Sequence, residues 1–210
     1  MRKLIDNIYL FWLLLAVPAI VFAALLLSGT EPEPGLSMVE ALLSPTGEFS
    51  ARFMIAAMLI SPLRAAFPRA MWLLWFAQRR RALGVAAFGY AVLHLVLYLV
   101  FAGDLAVVLD EFWVIGILTG WVAFALFIPL AITSNDYYQR RLRTGWKRLQ
   151  RLVYPAAIAT VLHWFYVHNG LVPMLIHFAP LALLECVRIG KAMQKRRAAA
   201  ARRTSPTTPS

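Results

Sequence analysis

The chain has 210 residues, of which 61% are apolar and only 15% are charged, and its formal net charge is +11. A soluble domain of this size needs about 25% charged residues to cover its surface, so the composition excludes a soluble protein and indicates a membrane protein. Membrane-spanning helices of about 20 residues each would take up the whole length, which excludes an additional nucleotide-binding domain.

Stretches without charged residues predict where the chain crosses the membrane. Three of them, residues 7–30, 82–103 and 112–135, are each long enough to cross the hydrocarbon core once. The stretch 53–63 is shorter, but it is flanked by arginines whose long side chains can reach the interfaces from just inside a helix end. We therefore count it as a fourth crossing.

Residues 152–184 form an apolar stretch that is too long for one helix. The sequence His168-Asn169-Gly170, followed by Pro173, lies in its middle and is typical of a turn. We expect two helices joined by a tight hairpin there.

The basic residues are distributed unevenly along the chain, and Lys and Arg are retained on the cytoplasmic side of a membrane. All of them except Arg52 lie in four segments, which are Arg2-Lys3, 64–81, 140–151 and 188–203. The connections 31–48 and 104–111 contain acidic residues and neither Lys nor Arg. This pattern predicts an all-α bundle of six transmembrane helices with both termini cytoplasmic. Residues 1–190 would form the membrane domain, and 191–210 a basic, disordered cytoplasmic tail.

The positive charge also limits the partners of the chain. Its basic residues lie beside predicted helix ends, where anionic lipid head groups attract them, so we expect membrane lipid and not nucleic acid as the partner of this charge. The dinucleotide fingerprint Gly-x-Gly-x-x-Gly is absent from the sequence, so direct oxidation of NAD(P)H by this chain is not expected.

All four histidines lie within predicted spans or at their ends. From the cytoplasmic side, His94 lies about 18 Å along the third predicted helix and His163 about 21 Å along the fifth, so their side chains reach similar depth. Two neutral imidazoles at one level can supply both axial ligands of a b-type haem. The sequence has no Cys-x-x-Cys-His motif, which is consistent with non-covalent binding. We predict that His94 and His163 bind the haem iron.

The neighbours of these histidines are compatible with a porphyrin. Small residues share their helix faces, namely Ala87, Ala91, Ala156, Ala159 and Thr160. Ordinary helix packing uses the same residue types, so the small residues do not decide the question alone. His177 lies about 10 Å into the sixth predicted helix and is a competing ligand or a donor to a haem propionate. For His168, beside the predicted turn, a solvated role is expected.

Several motifs together resemble a known family. They are Ile60-Ser61-Pro62-Leu63, Arg80-Arg81-Ala82-Leu83-Gly84 continuing through Phe88 and Tyr90 to Leu93-His94, Ile132-Thr133-Ser134, and Trp146 to Tyr154 continuing to Leu162-His163. The chain resembles the haem-binding membrane subunits of bacterial periplasmic protein-methionine-sulfoxide reductase systems, within the ferric-reductase-like transmembrane group. The resemblance covers most of the chain.

The resemblance implies an electron-transfer subunit, not itself an enzyme, in the bacterial inner membrane. Electrons would pass through haem b to a periplasmic molybdopterin-containing subunit that reduces oxidised methionine, a reversible lesion. The donor would be the quinone pool or a cytoplasmic flavin reductase, and the resemblance also implies bound FMN.

One residue departs from the family pattern. Where the family usually has a histidine thirteen residues before His163, this chain has Gln150. On a helix this spacing is about 20 Å, roughly the separation of two redox sites stacked towards opposite membrane faces. Glutamine is a poor iron ligand, so we predict one haem and not two.

Two other classes of function fit a polar membrane bundle. A transporter or proton channel would use the histidines as a pathway and would need acidic partners within the spans, for which Glu185 is the strongest candidate. A cofactor-free scaffold would use them only for packing. A ferric-reductase-like carrier with another acceptor is a further alternative within the haem-binding class.

Overall fold

The fold is built from helices. The computed structural model describes the backbone of residues 7–168 and 170–204, and the side chains of residues 7–167 and 170–198. The helices in these ranges are α1 (Ile8–Ser28), α2 (Met38–Ala66), α3 (Trp72–Ala102), α4 (Leu105–Glu111), α5 (Ile115–Ile132), α6 (Asp136–Leu142), α7 (Thr144–Leu149), α8 (Val153–His168) and α9 (Leu171–Thr204), with a 3-10 turn at Gln150–Leu152.

Within the described ranges, five helices are long and apolar enough to cross a membrane, namely α1, α2, α3, α5 and the 171–198 part of α9. The fifth predicted crossing corresponds to α8, which has 16 residues. This length is about 24 Å, shorter than the hydrocarbon core of about 30 Å, and the preceding 3-10 turn extends the helix towards the basic segment. The predicted all-α membrane bundle is therefore confirmed as a fold class.

The second helix begins earlier than we predicted. Its first turn is capped by Ser37, whose hydroxyl accepts a hydrogen bond from the backbone N–H of Glu40 (3.2 Å). Arg52 forms an ion pair with Glu48 one turn before it, so these charged residues continue the helix and do not interrupt it. A search for uncharged stretches misses the first part of this helix, because the opposite charges of Glu48 and Arg52 pair with each other within it.

The loops that we predicted also contain short helices. The acidic connection 104–111 forms α4, whose N-terminus is capped by the Asp104 carboxylate accepting from Ala106 N–H (3.0 Å). The basic segment 140–151 lies largely in α6, α7 and the 3-10 turn. These elements are too short to show an apolar period.

The predicted hairpin lies between α8 and α9, where α8 ends at His168 and α9 begins at Leu171. Asn169 is outside the described residues, as are Arg2, Lys3 and residues 205–210. Helix α9 continues to Thr204, so residues 191–204 are helical where we expected disorder. Alanine, lysine and arginine dominate this segment and are strong helix formers, which explains the difference.

Helix α2 packs most extensively against α3, α5 against α8, and α9 against α2. These contacts bury an apolar core that includes Met54, Ala87, Phe127 and Ala156. The outward faces remain apolar as well, and on α1 the side chains of Leu14 and Leu27 are 60% and 87% exposed. Apolar residues on both the inner and the outer faces are what a lipid environment requires.

Tyr90 on α3 fastens α1 to the bundle. Pro18 lies inside α1, and a proline in a helix disturbs the neighbouring backbone hydrogen bonds. The buried Tyr90 hydroxyl donates to the Leu15 carbonyl oxygen and accepts from the Ala19 N–H, both at 2.8 Å. The Leu15 carbonyl and the Ala19 N–H are four residues apart, the spacing at which backbone groups bond to each other in an α-helix. The Tyr90 hydroxyl bonds to both of these groups.

We predict that Tyr90→Phe destabilises the protein by about 1–3 kcal/mol, because it removes two hydrogen bonds between α3 and the backbone of α1, each worth about 1 kcal/mol. Thermal unfolding in detergent, followed by circular dichroism, measures the change. Tyr166→Phe is the matched control because Tyr166 is 41% exposed on α8. Equal melting temperatures for the two variants would contradict this role of Tyr90.

Candidate functional site

His94 on α3 and His163 on α8 face each other inside the bundle. Their ring centroids are 6.1 Å apart and their ring planes are inclined by 77°. An imidazole nitrogen bonds a first-row metal ion at about 2.0 Å, so two rings on opposite sides of one ion have centroids about 6 Å apart. The spacing of the two rings therefore allows one metal ion to lie between them.

Each ring is oriented by a hydrogen bond to a neighbouring helix. Nδ1–H of His94 donates to the Leu43 carbonyl oxygen on α2 (2.9 Å), and Nδ1–H of His163 donates to the Gly116 carbonyl oxygen on α5 (2.7 Å). A carbonyl oxygen only accepts, so both Nδ1 atoms carry the proton and, in the neutral rings, both Nε2 atoms carry the lone pair. This is the tautomer that a metal ligand coordinating through Nε2 needs.

Two glycines provide the space for these rings. A Cβ atom on Gly47 would lie 3.2 Å from His94 Nδ1 and Cε1, and one on Gly120 would lie 2.7 Å from His163 Nδ1. Real Cβ atoms essentially never come this close to another atom, so a side chain at residue 120 would displace the His163 ring.

A cavity of about 380 Å³ adjoins the histidine pair, and we call it the histidine cavity. Its lining combines small residues, aromatic rings and a few polar groups, among them Gly47, Ala91, Ala123, Phe124, Phe127 and Thr160. Of the small residues that we singled out in the sequence, Ala91 and Thr160 line this cavity. Ala87, Ala156 and Ala159 are buried in the bundle and are not among its lining residues.

The ligand set suits a particular kind of metal group. In the part of the chain that the structure describes, no cluster of three or more His, Cys, Asp or Glu side chains could hold a metal ion. A bare zinc-type ion needs three or four protein ligands, whereas iron in a porphyrin takes its other ligands from the macrocycle and needs at most two. The facing pair of imidazoles thus fits haem, which needs at most two ligands from the protein.

His177 is not brought to the pair. It lies on α9, where its Nδ1–H donates to the Pro173 carbonyl oxygen (2.8 Å) and its Nε2 accepts from Arg52 Nε (3.2 Å). Its ring packs beside Trp164, with centroids 4.9 Å apart, and it is absent from the lining of the histidine cavity. His168 ends α8, and its side chain is outside the described residues.

Gln150 lies far from the histidine cavity, in the 3-10 turn before α8. Its amide donates to the Thr133 hydroxyl (3.1 Å) and to the Leu130 carbonyl oxygen (3.3 Å). It also lines a second and larger cavity of about 830 Å³ at the basic end of the bundle. Six cations line this cavity, namely Arg79, Arg80, Arg81, Lys147, Arg151 and Arg188, and we call it the arginine cavity.

The arginine cavity has an apolar inner wall and a basic mouth. Met54, Met58 and Phe88 contribute to the wall, and no Asp or Glu is among the described lining residues. Arg80 donates to the Ser61 hydroxyl (3.0 Å), a neutral acceptor. Phe127 lines both the arginine and the histidine cavities.

Sequence reasoning found the two histidines but missed the groups that orient them. The carbonyl groups of Leu43 and Gly116 carry no signal in the sequence, because every residue has one. Gly120 lies within the largely apolar helix α5. A glycine at such a position can indicate that a neighbouring group approaches the helix backbone closely.

The fold and the histidine pair define the class of this molecule: a multi-pass helical membrane protein with a two-histidine site in its core. Residues 46–161 match the family described as ferric reductase like transmembrane component. No solved structure matches the chain.

Named relatives narrow the assignment. The chain is 35% identical over 165 residues to the protein-methionine-sulfoxide reductase heme-binding subunit MsrQ of Xanthomonas euvesicatoria pv. vesicatoria, covering 77% of this chain and 74% of the relative. It is 37% identical over 162 residues to the protein of the same name in Rhizobium meliloti, covering 76% and 71%. The chain belongs to the ferric reductase-like transmembrane family, in the group of these subunits, which confirms the resemblance and a location in the bacterial inner membrane.

One carboxylate outside the spans is tied to the arginine cavity. Arg81 donates to the Asp136 carboxylate at the start of α6, and this hydrogen bond with its charge attraction lowers the pKa of Asp136 below the ordinary value. A group with a lowered pKa contributes stability above its unfolded pKa, and that contribution is lost as the pH falls through the folded value.

We expect Arg81→Gln to raise the pKa of Asp136 towards the ordinary aspartate value, because the donor and its charge are both removed. A carboxyl ¹³C NMR titration measures this pKa. Arg141→Gln is the control, since Arg141 lies on the same helix as Asp136 and donates to Tyr137 instead. An unchanged pKa in Arg81→Gln would show that Arg81 does not hold this carboxylate.

Proposed function

We propose that the protein is a membrane electron-transfer subunit that holds one haem b between His94 and His163. The observation that carries the proposal is the facing of two imidazoles, each with Nδ1–H bonded to a backbone carbonyl. The names of the relatives, which are heme-binding subunits of a reductase, support it. The catalytic step would belong to another polypeptide.

Haem b, when bound, would supply a one-electron couple inside the membrane. The residues of this chain have separate tasks. His94 and His163 present their Nε2 lone pairs, and the Leu43 and Gly116 carbonyls keep the protons on Nδ1. The rings of Phe124 and Phe127 give the cavity part of its apolar wall.

The proposed electron path is placed in the membrane topology that the charge distribution predicts. We propose six transmembrane helices, with α8 and its 3-10 turn as the fifth crossing, and both termini cytoplasmic. Both histidines lie in the halves of their helices that lead to the non-cytoplasmic side in this topology. Electrons would enter from a quinol or a cytoplasmic flavin reductase and leave to a periplasmic molybdopterin-containing methionine sulfoxide reductase.

We also propose a single haem per chain. A second haem at the basic end would need an imidazole near residue 150, where Gln150 instead donates to Thr133 and Leu130. The arginine cavity suits FMN better, because an arginine can bind its phosphate and the apolar wall can accommodate its ring. The residues that would hold the phosphate are Arg80 and Arg151.

We predict that Arg80→Gln weakens FMN binding about tenfold, the loss expected for one charge-assisted hydrogen bond to phosphate. Quenching of flavin fluorescence by the purified protein measures the affinity. Arg148→Gln is the matched control, because it removes the same charge from the basic segment without lining the cavity. Riboflavin, which lacks the phosphate, should bind equally to all three proteins. A tenfold loss of riboflavin binding in Arg80→Gln would contradict phosphate recognition.

The absorption spectrum tests the haem proposal directly. Purified protein should show a Soret band and, on reduction, sharp α and β bands, with one haem per chain. His94→Ala and His163→Ala should abolish these bands because each removes a residue that would hold the iron, whereas His177→Ala, the control, should retain them. A haem-to-protein ratio of two, or normal bands in both of the first two variants, would contradict the proposal.

The colour of the same purified protein also distinguishes the alternative functions. A colourless but folded protein would favour a transporter, a proton channel or a scaffold. Against a proton pathway stands the pairing of acidic residues within the spans, since Glu185 forms an ion pair with Arg188 (2.7 Å) and Glu48 forms one with Arg52. Co-purification of a periplasmic molybdoenzyme would support the methionine-repair assignment, and its absence would favour a carrier with another acceptor.

A further inference from the structure

Each of the two proposed ligands contacts a neighbouring helix. The local arrangement of residues at the two contacts is the same. In α2 the carbonyl of Leu43 is followed by Thr46 and Gly47, and in α5 the carbonyl of Gly116 is followed by Thr119 and Gly120. In both cases the carbonyl at position i accepts the Nδ1–H of a histidine, and glycine at i+4 leaves room for its ring. We call these segments the two Thr-Gly supports.

The threonine of each support also makes equivalent hydrogen bonds in the two helices. The Thr46 hydroxyl is 2.8 Å from the Leu42 carbonyl oxygen and 2.9 Å from that of Leu43. The Thr119 hydroxyl is 2.8 Å from the Ile115 carbonyl oxygen and 2.9 Å from that of Gly116. Each hydroxyl thus donates to the carbonyl that also receives the histidine proton, or to the one before it.

Threonine bonds of this kind are common in helices, and they bend the helix slightly. A carbonyl that tilts away from the helix axis becomes accessible to a donor on a neighbouring helix. A hydroxyl that shares the oxygen also draws electron density from it, so the carbonyl becomes a weaker acceptor for the histidine Nδ1–H. The strength of that hydrogen bond controls the basicity of the coordinating nitrogen.

We infer that the Thr-Gly supports, Thr46-Gly47 and Thr119-Gly120, are positioning elements that set the orientation and the donor strength of His94 and His163. The inference rests on the proposed haem function. The glycines determine where each ring lies, and the threonines adjust the Nδ1 hydrogen bond and, through it, the redox potential of the bound iron.

The glycines give a graded test. Gly120→Ala places a Cβ 2.7 Å from His163 Nδ1 and should remove most of the haem, whereas Gly47→Ala, with a contact at 3.2 Å, should retain it with a shifted Soret band. Gly89→Ala on α3 is the control, since a Cβ there meets no atom within 4 Å. Haem content per chain and the melting temperature are measured for all three variants.

The threonines give a test that a purely structural role would not satisfy. Thr119→Val keeps the side-chain shape and removes the hydroxyl, so Gly116 becomes a stronger acceptor and the midpoint potential should fall. Thr119→Ser restores the hydroxyl and should return the potential to that of the natural protein. Potentiometric titration of the haem bands measures both values.

The outcomes separate this inference from the function on which it rests. A colourless natural protein would overturn both. A coloured natural protein would keep the proposed function, and the inference would then fail if Gly120→Ala retained the full haem content. It would also fail if Thr119→Val left the potential unchanged, or if Thr119→Ser shifted it equally.

Discussion

The structure depends on satisfying two polar imidazoles inside an apolar bundle. An unbonded ring N–H in lipid-like surroundings is costly, yet the backbone carbonyls of a helix are already engaged along its axis. The protein solves this by directing each Nδ1–H to a carbonyl oxygen on a neighbouring helix, Leu43 for His94 and Gly116 for His163. The same two bonds determine the tautomer of the rings, so stability and ligand chemistry have one cause.

This requirement explains the arrangement of the helices around the site. Helix α2 has to reach from Met38, well before its uncharged part, because the Leu43 carbonyl belongs to its first turns. Helix α5 has to approach α8 closely, which Gly116 and Gly120 permit, since a Cβ on either would meet α8 within 3.4 Å. The two pairs α2 with α3 and α5 with α8 are also among the most extensively packed.

The two cavities divide the bundle into chemically different halves. The histidine cavity lies towards the acidic connections and offers nitrogen ligands, and the arginine cavity lies among the basic residues and offers binding to anions. Phe127 contributes to the lining of both. This order, with arginines towards one end of the bundle and two imidazoles towards the other, is compatible with the proposed transfer of electrons across a membrane.

The amino-acid sequence by itself determined that the chain is helical and belongs in a lipid membrane. It also indicated His94 and His163 as the candidate ligands. These features can be read from the sequence because apolar period, charge asymmetry and helical rise are local properties. It did not reveal the true start of α2 or the helix through 191–204, since paired charges and strong helix formers continue a helix past the apolar stretch. Only the tertiary structure decided that His177 bonds to Arg52 and not to the pair. It also decided which carbonyls and glycines surround the rings, because these contacts join residues from separate helices whose rotation no local pattern specifies.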